Sequence, residues 1–176
     1  EDDDTGRGAT LRLWDLASST QIGQPLMAHS YPVTTVATTV IDGRAVAVTA
    51  GQDPAVRVWN VAVDTTISQP VVGHVDEVSG IATATVQGRP VAVSVSYQDP
   101  VARVWDLAAD SPTSRPLTGH EGGISSVQTA VTAGRSVALT DSIEDGTTRI
   151  WDLATAAPIG RLIHGLLDLD RDALPR

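Results

Sequence analysis

The sequence predicts an all-β protein assembled from repeated, short antiparallel sheets of about four strands each, and three observations carry that prediction. All four tryptophans lie in near copies of one stretch: Leu11-Arg12-Leu13-Trp14-Asp15-Leu16-Ala17, Val56-Arg57-Val58-Trp59-Asn60-Val61-Ala62, Ala102-Arg103-Val104-Trp105-Asp106-Leu107-Ala108 and Thr148-Arg149-Ile150-Trp151-Asp152-Leu153-Ala154. They are 45, 46 and 46 residues apart, a period at which each unit is one supersecondary element that needs its neighbours to bury its faces. Gly and Pro interrupt the chain too often for the i, i+3, i+4, i+7 spacing of helices. The apolar residues are mainly Val, Ala, Leu and Ile, with abundant Thr and no Phe, which suits pleated, closely stacked sheets.

Taken in order, residues 1–8 are acidic and Gly-containing and are expected to form a loop or a disordered N-terminus. Alternation begins at Thr10. In every copy the Arg stands two residues before the Trp, so in an extended strand the two share one face and the flanking aliphatics share the other. Both faces of this strand are expected to be buried. Eleven residues after each of the first three tryptophans comes a proline: Pro25, Pro70 and Pro116. Proline cannot donate to a ladder, so this fixed offset places the following strand at the outer edge of its sheet.

Four residues beyond each proline stands His29, His74 or His120, preceded by Ala28, Gly73 or Gly119. Apolar residues follow each histidine at +4 and +7: Val33 and Val36, Val78 and Ile81, Ile124 and Val127. Hairpin turns are expected at Asp42-Gly43, Gln87-Gly88 and Ala133-Gly134, where Gly supplies positive φ between two apolar runs. The runs that follow are Val46-Ala47-Val48-Thr49, Val91-Ala92-Val93-Ser94 and Val137-Ala138-Leu139-Thr140. Asp53-Pro54, Asp99-Pro100 and Asp145-Gly146 are expected to turn the chain back into the next Trp strand. Each period therefore holds four short strands, the content of one antiparallel sheet.

The Gly-His pair, the turn Asp and the Trp-Asp pair together resemble the WD-repeat family of β-propellers over about residues 9–163. The resemblance implies four-stranded blades, with the Trp strand third from the axis and the Pro strand outermost. It divides the chain into a half blade at 9–27, blades at 28–72, 73–118 and 119–163, and a tail or cap at 164–176. It also implies buried tetrads within each blade: His29, Thr49, Asp53 and Trp59; His74, Ser94, Asp99 and Trp105; His120, Thr140, Asp145 and Trp151. There are departures. Asn60 replaces Asp after Trp59, Ala28 replaces Gly before His29, and Gly8 stands where the first turn Asp belongs. The second and third copies carry one extra residue before the Asp, which makes Ser96 and Ser142 alternative hydroxyl partners. After the last copy, Leu166 rather than His164 falls at the histidine position. About three and a half blades imply a partial ring, or one completed by an oligomer.

A formal charge of −9 with no lysine argues against a nucleic-acid footprint. No apolar run approaches the roughly 18 residues of a membrane helix. Absence of Cys removes disulfides and thiolate chemistry. The chain opens Glu1-Asp2-Asp3-Asp4, without Met or a signal region, and reads as a processed product or part of a longer polypeptide. Its Ala, Arg, Gly, Val and Asp bias points to a bacterial source, and a cytoplasmic location is expected.

His, Asp and Ser/Thr together suggest a hydrolase, yet the set recurs once per unit, as a buried structural network would and a unique active site would not. No catalytic residue, metal site or cofactor is therefore expected. Three histidines in different units stand too far apart for coordination bonds of roughly 2 Å. The Arg before each Trp is expected to lay its stem on its neighbours and pair its head with a turn carboxylate. Functional residues are sought where the repeats differ, just after the His and just before the turn Asp. These are Tyr31, Gln52, Asp76, Glu77, Tyr97, Gln98, Glu121 and Glu144, expected on one acidic rim that binds a basic protein or peptide. The expected function is a non-catalytic interaction scaffold. The alternatives are an assembly module completed by self-association and a regulatory segment of a larger bacterial signalling or NTPase protein.

Overall fold

The computed structural model describes residues 8–61, 65–66, 71–109, 113–160 and 163–164. Among them the chain is all-β and forms four antiparallel sheets in sequence order. The first pairs β1 (Ala9–Asp15) with β2 (Thr20–His29). The second runs β3 (Val33–Ile41), β4 (Arg44–Gly51) and β5 (Ala55–Asn60), with β6 (Thr65–Thr66) and β7 (Val71–Val72) both against β5. The third runs from β8 (Gly80–Val86) through β9 (Arg89–Ser96) and β10 (Asp99–Asp106) to β11 (Ser114–Thr118). The fourth holds β12 (Ser126–Thr132), β13 (Arg135–Ser142) and β14 (Thr147–Asp152), with β15 (Ala157–Pro158) and β16 (Ile163–His164) both against β14.

The hairpins between the first two strands of the last three sheets carry positive φ at both turn residues: Asp42 and Gly43, Gln87 and Gly88, Ala133 and Gly134. That is the I′ geometry, whose twist matches that of the flanking strands. At the opposite end the third sheet turns at Tyr97-Gln98, so that Asp99 and Pro100 already belong to β10 and not to the turn. Pro25 and Pro116 lie on the outer strands β2 and β11. Pro70, the segment 1–7 and the tail from 165 fall outside the described residues.

The sheets pack through the Trp strands. Trp105 and Leu107 lie on Val46, Val48, Val56 and Val58 of the second sheet. Trp151 and Leu153 lie on Val91, Val93, Val95 and Val104 of the third. Trp59 lies with Ala28, Leu11 and Leu26 of the first. Each buried indole removes roughly 150–250 Å² from water, worth about 4–6 kcal/mol as an upper bound, more than any one hydrogen bond described below. The expectation that both faces of the Trp strand are buried fails for β1. Exposure alternates along it and Trp14 is 51% exposed, because among the described residues no sheet stands before the first. The ring is not closed.

β16 pairs His164 with Thr147, as β7 pairs Val72 with Ala55 and β11 pairs Thr118 with Val101. His164 therefore holds the place of Val72 and Thr118, two residues before His74 and His120, and not that of the histidines; Leu166 lies outside the described residues.

Candidate partner-binding rim and the buried relays beneath it

Each histidine ends or closely follows the outer strand of one sheet and bonds to the sheet after it. His74 Nε2 lies 2.7 Å from Ser94 Oγ, and that oxygen accepts from Trp105 Nε1–H at 2.8 Å. His74 Nδ1 lies 2.9 Å from Asp99 Oδ2. His120 repeats this with Thr140 Oγ1 and Asp145 Oδ2, both at 2.8 Å, and Trp151 Nε1–H donates to the same hydroxyl at 2.8 Å. With a neutral ring the hydroxyl donates to Nε2 and Nδ1–H donates to the carboxylate, so every group in the relay is satisfied. In the first relay His29 Nε2 is 2.9 Å from Thr49 Oγ1, which also accepts from Trp59 Nε1–H. There the Arg57 guanidinium intrudes, 2.6 Å from His29 Nδ1 and 2.9 Å from Asp53 Oδ2, and the His–Asp separation lengthens to 3.2 Å.

The bridging hydroxyls are thus those of Thr49, Ser94 and Thr140. Ser96 and Ser142 serve the turns instead, accepting from the backbone N–H of Gln98 and Asp145, which is how the extra residue in those copies is held. Arg103 pairs with Asp99 at 3.1 Å, as Arg57 does with Asp53. Arg149 departs from the pattern: Thr147 Oγ1 donates to Asp145 at 2.6 Å in its stead. Glycine before the histidine leaves room for the indole, since a Cβ on Gly73 would come 2.8 Å from Trp105 Cη2. Where an aspartate follows the Trp, in three of the four copies, it closes the next turn: Asp15, Asp106 and Asp152 accept from Ala17, Ala108 and Ala154 N–H.

Burial pushes the His29 and His74 pKa down, and outweighs the hydrogen bonds to Asp53 and Asp99 that push it up. Asp53 and Asp145 behave oppositely. Burial raises them, but donors win: His29, Ala55 N–H and Arg57 at Asp53, and Thr147, Glu121 N–H and His120 at Asp145 hold both carboxyls below the usual range. A hydroxyl, an imidazole and a carboxylate in line form a hydrolase's inventory. Here each hydroxyl is fully buried under an indole that already donates to it, so no substrate atom reaches it in this packing.

Above the relays the loops after the histidines and the loops before the turn aspartates emerge at one end of the stack. Gln52 N–H donates to Pro32 O, and Gly123 N–H donates to Glu144 Oε2 at 2.8 Å. Equivalent ends stay level because Val78 N–H donates to Gly51 O and Ile124 N–H to Ser96 O across neighbouring sheets. Gly123 packs so tightly on the Tyr97 carbonyl that a Cβ there would sit 1.6 Å from the oxygen. The structure thus brings together Tyr97, Gln98, Glu121 and Glu144 across two units. Tyr31 and Gln52 are also exposed, at the first unit's end, whereas Asp76 and Glu77 are partly buried and Asp76 accepts from Glu77 N–H.

Two more exposed residues stand on this end, and neither is among the expected site residues. Val75 and Ile143 are each more than three-quarters exposed, beside Asp76 and Glu144. Their signal was present in the sequence: each is a lone bulky aliphatic inside a turn. The opposite end bears Arg44, Arg89 and Arg135, and there Arg89 pairs with Asp106 at 2.8 Å.

Against known proteins, residues 111–152 match the family model described as "WD40: WD domain, G-beta repeat". That segment is similar to a WD40 repeat. The second and third sheets repeat its antiparallel arrangement, and the chain has the fold of a solved WD-repeat propeller described as "Structure of U3-55K". The TM-score is 0.69 with 23% identity, over 85% of this chain and 44% of that one. The chain therefore spans less than half the length of that structure. No curated protein sequence matches it. WD40 propellers are generally protein-interaction scaffolds.

Proposed function

We propose that the chain is a protein-interaction module whose loop end binds a basic, partly apolar protein or peptide segment. One observation carries the reading: four large apolar side chains, Tyr31, Val75, Tyr97 and Ile143, stand at least half exposed on the same end, interleaved with Asp76, Glu77, Glu121 and Glu144. Aromatic anchors bury area at small entropic cost, and the carboxylates steer a cationic partner and reject an acidic one. The arginines of the opposite end sharpen that selectivity by leaving the loop end net acidic. The backbone beneath is pinned by the inter-sheet bonds, so the anchors are presented by a rigid frame.

The test is binding to immobilised peptides that alternate Arg or Lys with aliphatic residues, at two salt concentrations. Wild type binds and weakens with salt. Tyr97→Ala loses affinity about tenfold with an unchanged melting curve, in line with a hot-spot truncation costing at least ~1 kcal/mol. Equal binding by acidic and basic peptides, or unaltered binding by Tyr31→Ala/Tyr97→Ala, overturns the reading.

A further inference from the structure

Strand register builds a charged cleft on the third sheet, at the end opposite the loops. Val86 is paired with Arg89, Val91 with Asp106, and Val104 with Arg115. Alternate residues of a strand share a face, so Arg89 and Val91 point one way, Val104 and Asp106 join them across the ladder, and Arg115 follows. This is the face that receives the fourth sheet, whose Trp151 and Leu153 cover most of it. The fourth sheet's chain then turns at Ala154. A cleft of about 280 Å³ remains beside that turn, floored by Val91 and Val104 and bounded by Arg89, Asp106 and Arg115.

The two arginines are held differently. Arg115 is pinned to the fourth sheet, donating from Nη1 to Ala154 O at 3.0 Å and from Nη2 to Leu153 O at 2.8 Å. Among the described residues it forms no ion pair. Arg89 donates from Nε to Asp106 Oδ2 at 2.8 Å, and its side chain is otherwise 58% exposed, with both η nitrogens open to a further acceptor. Burial raises the Asp106 carboxyl, but Arg89, the Ala108 N–H and Arg115 outweigh it and hold the group below the usual carboxylate range. At neutral pH the cleft therefore carries two positive charges and one negative.

The neighbouring sheets do not repeat this closed arrangement. In the second sheet Asn60, paired with Val46, holds the place of Asp106. In the fourth, Arg135 stands 3.9 Å from Asp152, against 2.8 Å for Arg89 and Asp106.

One net positive charge suits a monoanion, and the valines beside it suit an aliphatic group on the same ligand. The cleft is slightly smaller than the ~300–1,000 Å³ of sites that enclose drug-sized molecules. Gln87, Arg89, Thr113, Arg115 and Ala154 around its mouth are exposed, so it seats one or two side chains and leaves the rest of the ligand outside. We propose that this cleft binds an extended segment of another protein through an acidic side chain next to an aliphatic one. The carboxylate accepts from the η nitrogens of Arg89 beside Arg115, and the aliphatic group lies on Val91 and Val104. The site lies apart from the loop end, prefers the opposite charge and does not rest on the reading given for that end.

The probes are two short peptides with blocked termini, one alternating Leu with Glu and the other Leu with Gln. Each is titrated into the intact chain while the arginine Nε–H signals are followed by NMR. The Leu-Glu peptide shifts the Arg89 and Arg115 signals saturably, and its binding weakens with salt. The Leu-Gln peptide binds at least about tenfold more weakly, the size of one lost charge-assisted hydrogen bond. Arg89→Gln, at an exposed side chain, weakens the Leu-Glu peptide by a similar factor without moving the melting curve, whereas Tyr97→Ala leaves its binding unchanged. Equal binding of the two peptides, no shift at Arg89 and Arg115, or undiminished binding by Arg89→Gln overturns the proposal. Isobutyrate that shifts the same signals with the affinity of the Leu-Glu peptide also overturns it, since the ligand is then a small carboxylate and not a protein segment.

Discussion

Replacing Ser94 by alanine removes one oxygen and leaves the volume nearly unchanged, so it isolates what the relay contributes. That oxygen is fully buried, accepts from Trp105 Nε1–H at 2.8 Å and lies 2.7 Å from His74 Nε2. Its loss strands a buried donor and a buried ring nitrogen, each of which costs about 1–3 kcal/mol without a partner. Partial relaxation of the imidazole places the sum at roughly 2–4 kcal/mol, a large part of the ~5–15 kcal/mol that holds a typical domain together. Urea unfolding followed by Trp fluorescence reads this as a lower midpoint with an unchanged slope. Ser96→Ala is the control, because Ser96 accepts one long bond from Gln98 N–H at 3.3 Å and its loss costs about 1 kcal/mol or less. A Ser94→Ala effect under about 0.5 kcal/mol, or one no larger than that of Ser96→Ala, refutes the reasoning.

The titrating groups give a signed pH dependence. His29 and His74 are held below their ordinary 6.5, so the unfolded chain takes up protons that the folded chain refuses. Their contribution is full above pH 6.5 and is lost as pH falls toward and through the folded values. Asp53 and Asp145 are held below 3.8, so theirs persists at pH 5 and fails only below about 3.8. Urea midpoints should fall between pH 7 and pH 5 and fall again below pH 4, and a midpoint that rises from pH 7 to pH 5 contradicts the assignment. At the third hairpin, Ala133 sits at φ 48°, where a Cβ is disfavoured and Asn is well tolerated. Ala133→Asn should stabilise the chain by about 0.5–1 kcal/mol in the same assay, and a loss of stability counts against the I′ geometry.

Much of the fold was legible because the chain states its rule several times over. The Trp period, the Gly turns and the Pro offset are local signals, and each is enforced by backbone chemistry that does not depend on what the sheets pack against. The direction of the histidine bonds was less legible. Spacing alone places His74, Ser94, Asp99 and Trp105 in one unit, but His74 follows an outer strand of the preceding sheet. Exposure at the ends was not legible at all. Trp14 sits in the same motif as Trp151 and differs in having no sheet before it among the described residues, which is a property of position in the stack and not of the residues around it. At the loop end, Tyr31 and Tyr97 stood out by residue type. Val75 and Ile143 did not stand out as anchors, because isolated aliphatics in turns pass for ordinary variation, and Asp76 and Glu77 appeared more available than their partial burial allows.

Acrylamide quenching of tryptophan fluorescence tests the stacked arrangement most directly, since three indoles are buried beneath a preceding sheet and Trp14 is half exposed. One of the four emitters should be readily quenched, and Trp14→Phe should abolish that accessible fraction while leaving the blue-shifted remainder. Quenching of two or more indoles, or an accessible fraction that survives Trp14→Phe, would contradict the packing on which the relays and the loop end both depend.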